Sequence, residues 1–298
     1  MVHHGRGKAA VVPAALAIFA LLALLAGCPP QADDEGEVVA PDSLAPEPQA
    51  LTGDPVKIGA LFAVTGEASS LGEPEADTAK MLEKNFNETG GIAGRPVRIL
   101  IRDTKGIEAD ALNAAKELVE KENVVALVGP SRSGTTMAVV DYVESAGVPL
   151  LSCAAARAIT EPVKKFVFQV PPGDADAVVR IYEYMNANNI SKIAILTSSS
   201  GYGAEGLKQL TEQAGDAGID IVAKESFNEA DTDMTAQLTR IKATDAQAVV
   251  CWGVGKAPGL IARNMAQLAM KIPLFQSSGV ANQRFIEAAG EAADGVIM

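Results

Sequence analysis

From Val56 onward, short apolar runs alternate with longer amphipathic ones. The runs are VKIGALFA (56–63), VRILIRD (97–103), VVALVG (124–129), VPLLSC (148–153), KFVFQV (165–170), SKIAILTS (191–198), IDIVAKESF (219–227), QAVVCW (247–252) and IPLFQSS (272–278). Each has the length of a strand and the near-continuous Val, Ile, Leu and Phe content of a strand buried on both faces. Between most of them, stretches such as EPEADTAKMLEKNFNET, EADALNAAKELVEKE and MTAQLTRIKATD repeat apolar residues at helical spacing. Strand and helix in alternation predict an α/β fold built on parallel sheets. Roughly 245 residues of this pattern exceed one typical core, so two domains are expected. The boundary is placed at VPPGDAD (170–176), where paired prolines interrupt both periods and a new helix starts near Gly173.

That organisation says where chemistry belongs. In open α/β sheets, ligands bind outside the carboxyl ends of the strands. Those ends are TGEASSLG (65–72), GPSRSGTT (129–136), SCAAAR (152–157), SSSGYGAEG (198–206), WGVGKAP (252–258) and SSGVAN (277–282), as a set rich in Gly and Ser. GPSRSGTT has the frame of a phosphate-binding loop, but Thr135 stands where the lysine would, so the β- and γ-phosphates are not held. Two readings stay open there. A hydroxyl from Ser131 or Ser133 beside the free N–H groups of a helix start would hold a small anion, a carboxylate as readily as a phosphate. Alternatively the serine simply caps its own helix. Gly201–Gly206 spells G-x-G-x-x-G between a strand and a helix, with Glu225 near the end of the next strand, which is the best lead to an exported NAD-dependent oxidoreductase. GVGKAPG (253–259) has the wrong spacing and reads as a loop with Pro258 in the first turn of a helix.

The N-terminus fixes the compartment. Arg6 and Lys8 precede an uncharged apolar stretch from Ala9 to Ala26, then Leu25-Ala26-Gly27-Cys28. This is a secretory signal peptide over residues 1–27, and its end resembles a bacterial lipobox, which implies a lipid on Cys28 and a membrane attachment through it. A single membrane-spanning anchor is the alternative, since the apolar stretch is at the short end of the spanning range. Residues 28–54 hold Pro29, Pro30, Pro41, Pro46 and Pro48 and seven acidic residues without a lysine or arginine, a solvated tether. Both histidines, His3 and His4, fall in the leader, so no histidine remains for a nucleophilic triad or a metal site, and neither catalysis nor a cofactor is expected. Cys153 and Cys251 sit in apolar runs and read as buried free thiols. Removing Arg6 and Lys8 takes two from the 25 basic residues against 37 acidic ones, so the net charge moves from −12 to −14. Nucleic acid is a poor partner for such a chain.

Taken together, the segments VKIGALFAVTGEASSLG, NETGGIAGRPVRILIRDTKG, VVALVGPSRSGTT, GVPLLSCAAARAIT, SKIAILTSSSGYGAEGL and LFQSSGVAN resemble, in order and spacing, the type I periplasmic binding proteins of the leucine/isoleucine/valine-binding class. The resemblance runs from about Val56 to Met298. It implies two hinged Rossmann-like lobes, residues 55–171 and 172–298, that close over one small ligand, and an ABC transporter permease as partner. A receptor domain feeding a signalling partner is the other role of the fold. Since the family's chain returns to the first lobe beyond the segment matching AADGVIM, the first lobe is expected to be incomplete here.

The family's binding positions fall on Ser133, for the ligand carboxylate, on Ala154, Ala155 and Ala156, for the head group, and on Tyr202, which lies over the ligand. Leu71, Ser131 and Val254, in the same set of loops, are expected to bind the ligand as well. The acid that pairs with an α-ammonium falls on Ser278, and a threonine of the family reads Ala156, with Arg157 beside it. An ammonium buried without a carboxylate is costly. Two ligand classes follow: a branched or aromatic carboxylic acid (or related amide) lacking the ammonium, or an amino acid whose ammonium is met by Glu67, Glu73 or Glu75.

Overall fold

The computed structural model describes residues 50–298. The expected signal peptide, Cys28 and most of the expected tether lie outside the described residues. No described helix is long and apolar enough to cross a membrane.

Among the described residues nine strands form at the nine apolar runs: β1 (Val56–Phe62), β2 (Val97–Asp103), β3 (Ala126–Val128), β4 (Leu150–Ser152), β5 (Val167–Gln169), β6 (Lys192–Ser198), β7 (Asp220–Phe227), β8 (Ala248–Trp252) and β9 (Leu274–Gln276). They make two all-parallel sheets, β2-β1-β3-β4-β5 and β7-β6-β8-β9. Among the described residues seven α-helices connect them and an eighth follows β9: α1 (Ser69–Glu88), α2 (Glu108–Glu120), α3 (Ser133–Ala146), α4 (Asp174–Ala187), α5 (Gly201–Ala217), α6 (Thr235–Lys242), α7 (Ala257–Gln267) and α8 (Gln283–Ala289). Both sheets begin with the same order, second strand, first strand, third strand, fourth strand. Each therefore has a switch point between its first and third strands, and in such sheets the crevice at that point is where ligands sit.

The continuous apolar runs are explained by burial on both faces. On one face of the first sheet Leu61, Leu127 and Leu150 pack with Leu118 of α2 and Val140 and Val143 of α3. On the other, Ala60 and Phe62 meet Ala76 and Ala79 of α1. Here α1 leaves an apolar groove of about 490 Å³ bordered by Ile58, Leu82, Phe86 and Ile99. In the second sheet Ile193, Ile195, Val250 and Trp252 face Tyr182 of α4 and Leu210 of α5, while Leu196, Val249 and Cys251 face Leu238 of α6, Ile261 of α7 and Phe285 of α8.

Two local differences from the sequence reading have physical causes. The first helix begins at Ser69, before Pro74, and takes in part of what reads as a loop. Gly72 makes this possible: a Cβ there would lie 2.2 Å from the backbone carbonyl of Ala63, so only glycine lets the first turn approach the end of β1. The last residues of the expected tether are also already docked. The Thr52 N–H donates to the Gly94 carbonyl (2.9 Å), and Arg95 Nε donates to the carbonyl of Asp54 (2.8 Å).

Candidate functional site

The chain crosses from the first sheet to the second between Gln169 and Asp174, and the loops at the carboxyl ends of both sheets border a cavity of about 170 Å³. From the first lobe come Leu71, the Ser131–Ser133 loop and Cys153–Ala155, and from the second Tyr202, Val254, Ser278 and Gly279, with Pro171 at the crossing. A cavity of about 150 Å³ accommodates benzene, so this one suits a ligand of roughly that bulk with a small polar head. Leu71 and Ala155 pack against the apolar cluster of the second lobe that includes Tyr202 and Val254, so the two lobes meet around the cavity.

The GPSRSGTT loop is held rigidly on both sides. Thr135 Oγ1 donates to the Arg132 carbonyl (2.9 Å) and Thr136 Oγ1 to that of Pro130 (3.3 Å). Thr136 and Ser152 share a hydrogen bond (3.1 Å), and Ser152 Oγ accepts the Ala154 N–H (3.1 Å), which ties this loop to the next. Ser131 accepts the Ala63 N–H (3.0 Å) and donates to the Glu75 carboxylate. Arg132, not a serine, occupies the cap position of α3, and no side chain caps that helix. Ser133, its first residue, is 2% exposed, lines the cavity, and its hydroxyl has no partner among the described residues. The simple capping reading therefore fails for both serines. A buried hydroxyl without a partner costs about 1–3 kcal/mol, and here it sits beside the free N–H groups of a helix start.

Of the sequence-derived positions, Leu71, Ser131, Ser133, Ala154, Ala155, Tyr202, Val254 and Ser278 line this one cavity. Ala156 does not. Its methyl is buried with Ile159 and Val139 in the core of the first lobe, because the chain turns inward there to start a 3-10 turn at Arg157. The side chain of Arg157 points to solvent and pairs with Glu161 (2.6 Å). Arg132, Cys153, Pro171 and Gly279 complete the lining. Arg132 and Cys153 are within quoted loops, yet nothing in their local pattern distinguishes them from a solvated arginine and a core thiol.

The candidate acids fare differently. Glu73 is taken by Arg284, whose other nitrogen donates to Ser69 Oγ (2.5 Å). Glu67 is exposed at the cleft rim. Glu75 stands behind Ser131, where burial pushes its carboxyl up to about 7 against the opposing hydrogen bonds from Ser131 and Cys153. The Cys153 thiol is half-buried rather than buried, and desolvation together with Glu75 raises it to about 12. In the second lobe Asp174, 1% exposed, is raised to about 7 by burial and then by Glu205. Burial chiefly, with Asp174 second, raises the phenol of Tyr202.

The G-x-G-x-x-G stretch has a packing explanation. A Cβ on Gly203 would lie 2.0 Å from the Ser198 carbonyl oxygen, and one on Gly206 would lie 2.3 Å from the Trp252 indole. These glycines let α5 close onto its sheet. Glu225, the acid a ribose would need, is engaged by Arg240 through two hydrogen bonds of 2.6 and 2.8 Å.

Comparison with known proteins agrees with this architecture. The family model described as periplasmic binding protein matches residues 55–298. A leucine-, isoleucine-, valine-, threonine- and alanine-binding protein of Pseudomonas aeruginosa is 26% identical over 83% of this chain, which spans 66% of the length of that relative. The branched-chain amino acid transporter substrate-binding protein LivJ of Streptococcus pneumoniae, solved with isoleucine, superposes with a TM-score of 0.73 at 29% identity over 80% of this chain and 68% of its own. A type 1 periplasmic binding protein of Bordetella pertussis gives 0.75 at 29% identity, over 82% of this chain and 67% of its own. With two parallel sheets of matching order and a cavity at their facing carboxyl ends, the chain belongs to the periplasmic binding protein family and has its type I fold.

Proposed function

We propose that this chain is the extracytoplasmic solute-binding component of an ABC importer, anchored through a lipid on Cys28, and that it binds rather than transforms its ligand. The observation that carries this reading is the unpartnered, buried Ser133 hydroxyl at the helix start, lining a cavity of about 170 Å³ between the two sheets. Ser133 and the adjoining α3 N–H groups would take the ligand carboxylate. Leu71, Ala154, Ala155 and Val254 would pack on its apolar body, with Tyr202 across from them and Ser131 bracing the loop. Lobe closure, 55–171 against 172–298, would signal occupancy to the permease.

The ligand class follows from charge. None of the lining residues is acidic, and the one charged lining residue is Arg132. Glu73 is engaged elsewhere, Ser278 stands where an acid would, and burial favours the neutral form of Glu75. An ammonium in this cavity would lack a carboxylate, at a cost of several kcal/mol. A branched or aromatic carboxylic acid without an ammonium is therefore the preferred ligand. A branched-chain amino acid is the second reading, favoured by the named ligands of the relatives.

A thermal-shift panel decides between them, setting leucine, isoleucine, valine and phenylalanine against their deaminated acids and benzoate. Ligand at a hundred times its Kd adds about 2.7 kcal/mol to the folded state. A shift with the deaminated acids alone supports the preferred class, and an equal or larger shift with leucine overturns it.

A further inference from the structure

Two ion pairs join the lobes across the cleft, and their surroundings differ. Arg284 of α8 reaches Glu73 of α1 with side chains 36% and 48% exposed. Such a pair is solvated and contributes little. Arg132, at the head of α3, donates from Nη2 to both carboxylate oxygens of Glu229, at 2.7 and 2.6 Å, with side chains only 14% and 11% exposed. Glu229 lies on the loop after β7, so this bond spans from one sheet to the other. Arg132 also lines the ligand cavity.

The setting explains why an arginine is needed. Arg132 and Glu229 share a polar pocket of about 440 Å³ with Glu67 and Glu108 of the first lobe. Of those carboxylates only Glu229 is within ion-pair distance of the guanidinium. The first turns of α3 and α5 touch at the same place, where a Cβ on Gly201 would lie 3.2 Å from the Gly134 Cα. Without the cation, Glu229 would be left half-buried and unpaired, beside a pocket whose other acids, Glu67 and Glu108, are solvent-exposed.

We propose that Arg132 is a positioning residue that latches the lobes: its guanidinium, gripped by Glu229, holds the ligand loop of the first lobe against the second. The latch rests on the binding reading only for its purpose, closure over the cavity, and its existence is independent of the ligand. It also makes the two partners unequal. Removing Glu229 leaves Arg132 among Glu67 and Glu108, a tolerable arrangement. Removing Arg132 leaves the half-buried Glu229 carboxylate unpaired.

Amide hydrogen exchange on the chain, without added ligand, tests this. Peptides over 131–136 and 199–203 report the lobe contact, and those over β1 and β6 report the folded sheets. Glu229→Gln is expected to raise exchange at the contact at least tenfold, Arg132→Gln more than that, and the charge-swapped R132E/E229R chain is expected to recover most of the protection lost by R132E. Sheet exchange stays unchanged throughout. Should R132E also lose protection in the sheets, Arg132→Lys takes its place, because one ammonium grips the carboxylate less well and the contact should then exchange at a rate between wild type and R132Q. Contact protection that is the same in E229Q and wild type, no recovery on swapping, or R132K indistinguishable from wild type each overturn the latch. Because no ligand is added, a failure of the thermal-shift panel leaves this result standing, and the reverse holds too.

Discussion

Replacing Asp174 by asparagine probes how far the second lobe disfavours charge near the cavity. Asp174 opens α4, with its N–H donated to the Ala155 carbonyl (3.0 Å), and its Oδ2 is buried without a partner among the described residues. Burial, and secondarily Glu205, raises its carboxyl from 3.8 to about 7. The start of a helix favours a negative charge by up to about 1 kcal/mol, which desolvation outweighs here. The unfolded chain loses this proton near its ordinary value, while the folded chain keeps it until about 7. Between those values the folded state binds more protons, so stability falls as pH rises through the window. At about 1.4 kcal/mol for each tenfold change, the full cost by pH 8 is on the order of 4 kcal/mol. Asp174→Asn has the same shape and does not titrate. It should be more stable than wild type by about 1–2 kcal/mol at pH 5 and by about 4 kcal/mol at pH 8. Urea unfolding at both pH values, followed through the single tryptophan, Trp252, measures the difference. Glu75 titrates in both proteins and cancels. If D174N is destabilising to the same degree at pH 5 and pH 8, or more so at pH 8, Asp174 is ionised and partnered in the fold, and the reasoning fails.

Other outcomes follow from the same geometry. Ser133→Ala should weaken carboxylate binding about tenfold or more by titration calorimetry, since a hydrogen bond to a charged group is worth about 1.5–3 kcal/mol; it should leave the melting temperature unchanged or raise it, because the hydroxyl has no partner to lose. Ser278→Glu should tighten leucine binding by at least about tenfold, and equal leucine affinity in both proteins would locate the ammonium site elsewhere. Gly206→Ala places a methyl against Trp252 and should destabilise the second lobe by about 1–3 kcal/mol, with a change in tryptophan fluorescence as the local reporter.

The apolar runs and the helical spacing between them determined the nine strands, their parallel pairing and the two-sheet division, because burial on both faces writes itself into each strand's own composition. Strand ends rich in Gly and Ser likewise marked the loops that line the cavity. Local pattern could not distinguish neighbours within a loop. Ala155 and Ala156 are identical in sequence terms, yet one faces the second lobe and the other the first core, a choice made by the direction in which the chain turns after β4. The glycines of Gly201–Gly206 read as a nucleotide fingerprint until the positions of Ser198 and Trp252 show what they make room for. Arg132 looks like an ordinary surface cation, and Glu229, 97 residues away, gives no sign of pairing with it. Whether a charge is buried, paired or opposed depends on which loops meet, and that is decided only when the two sheets are brought face to face.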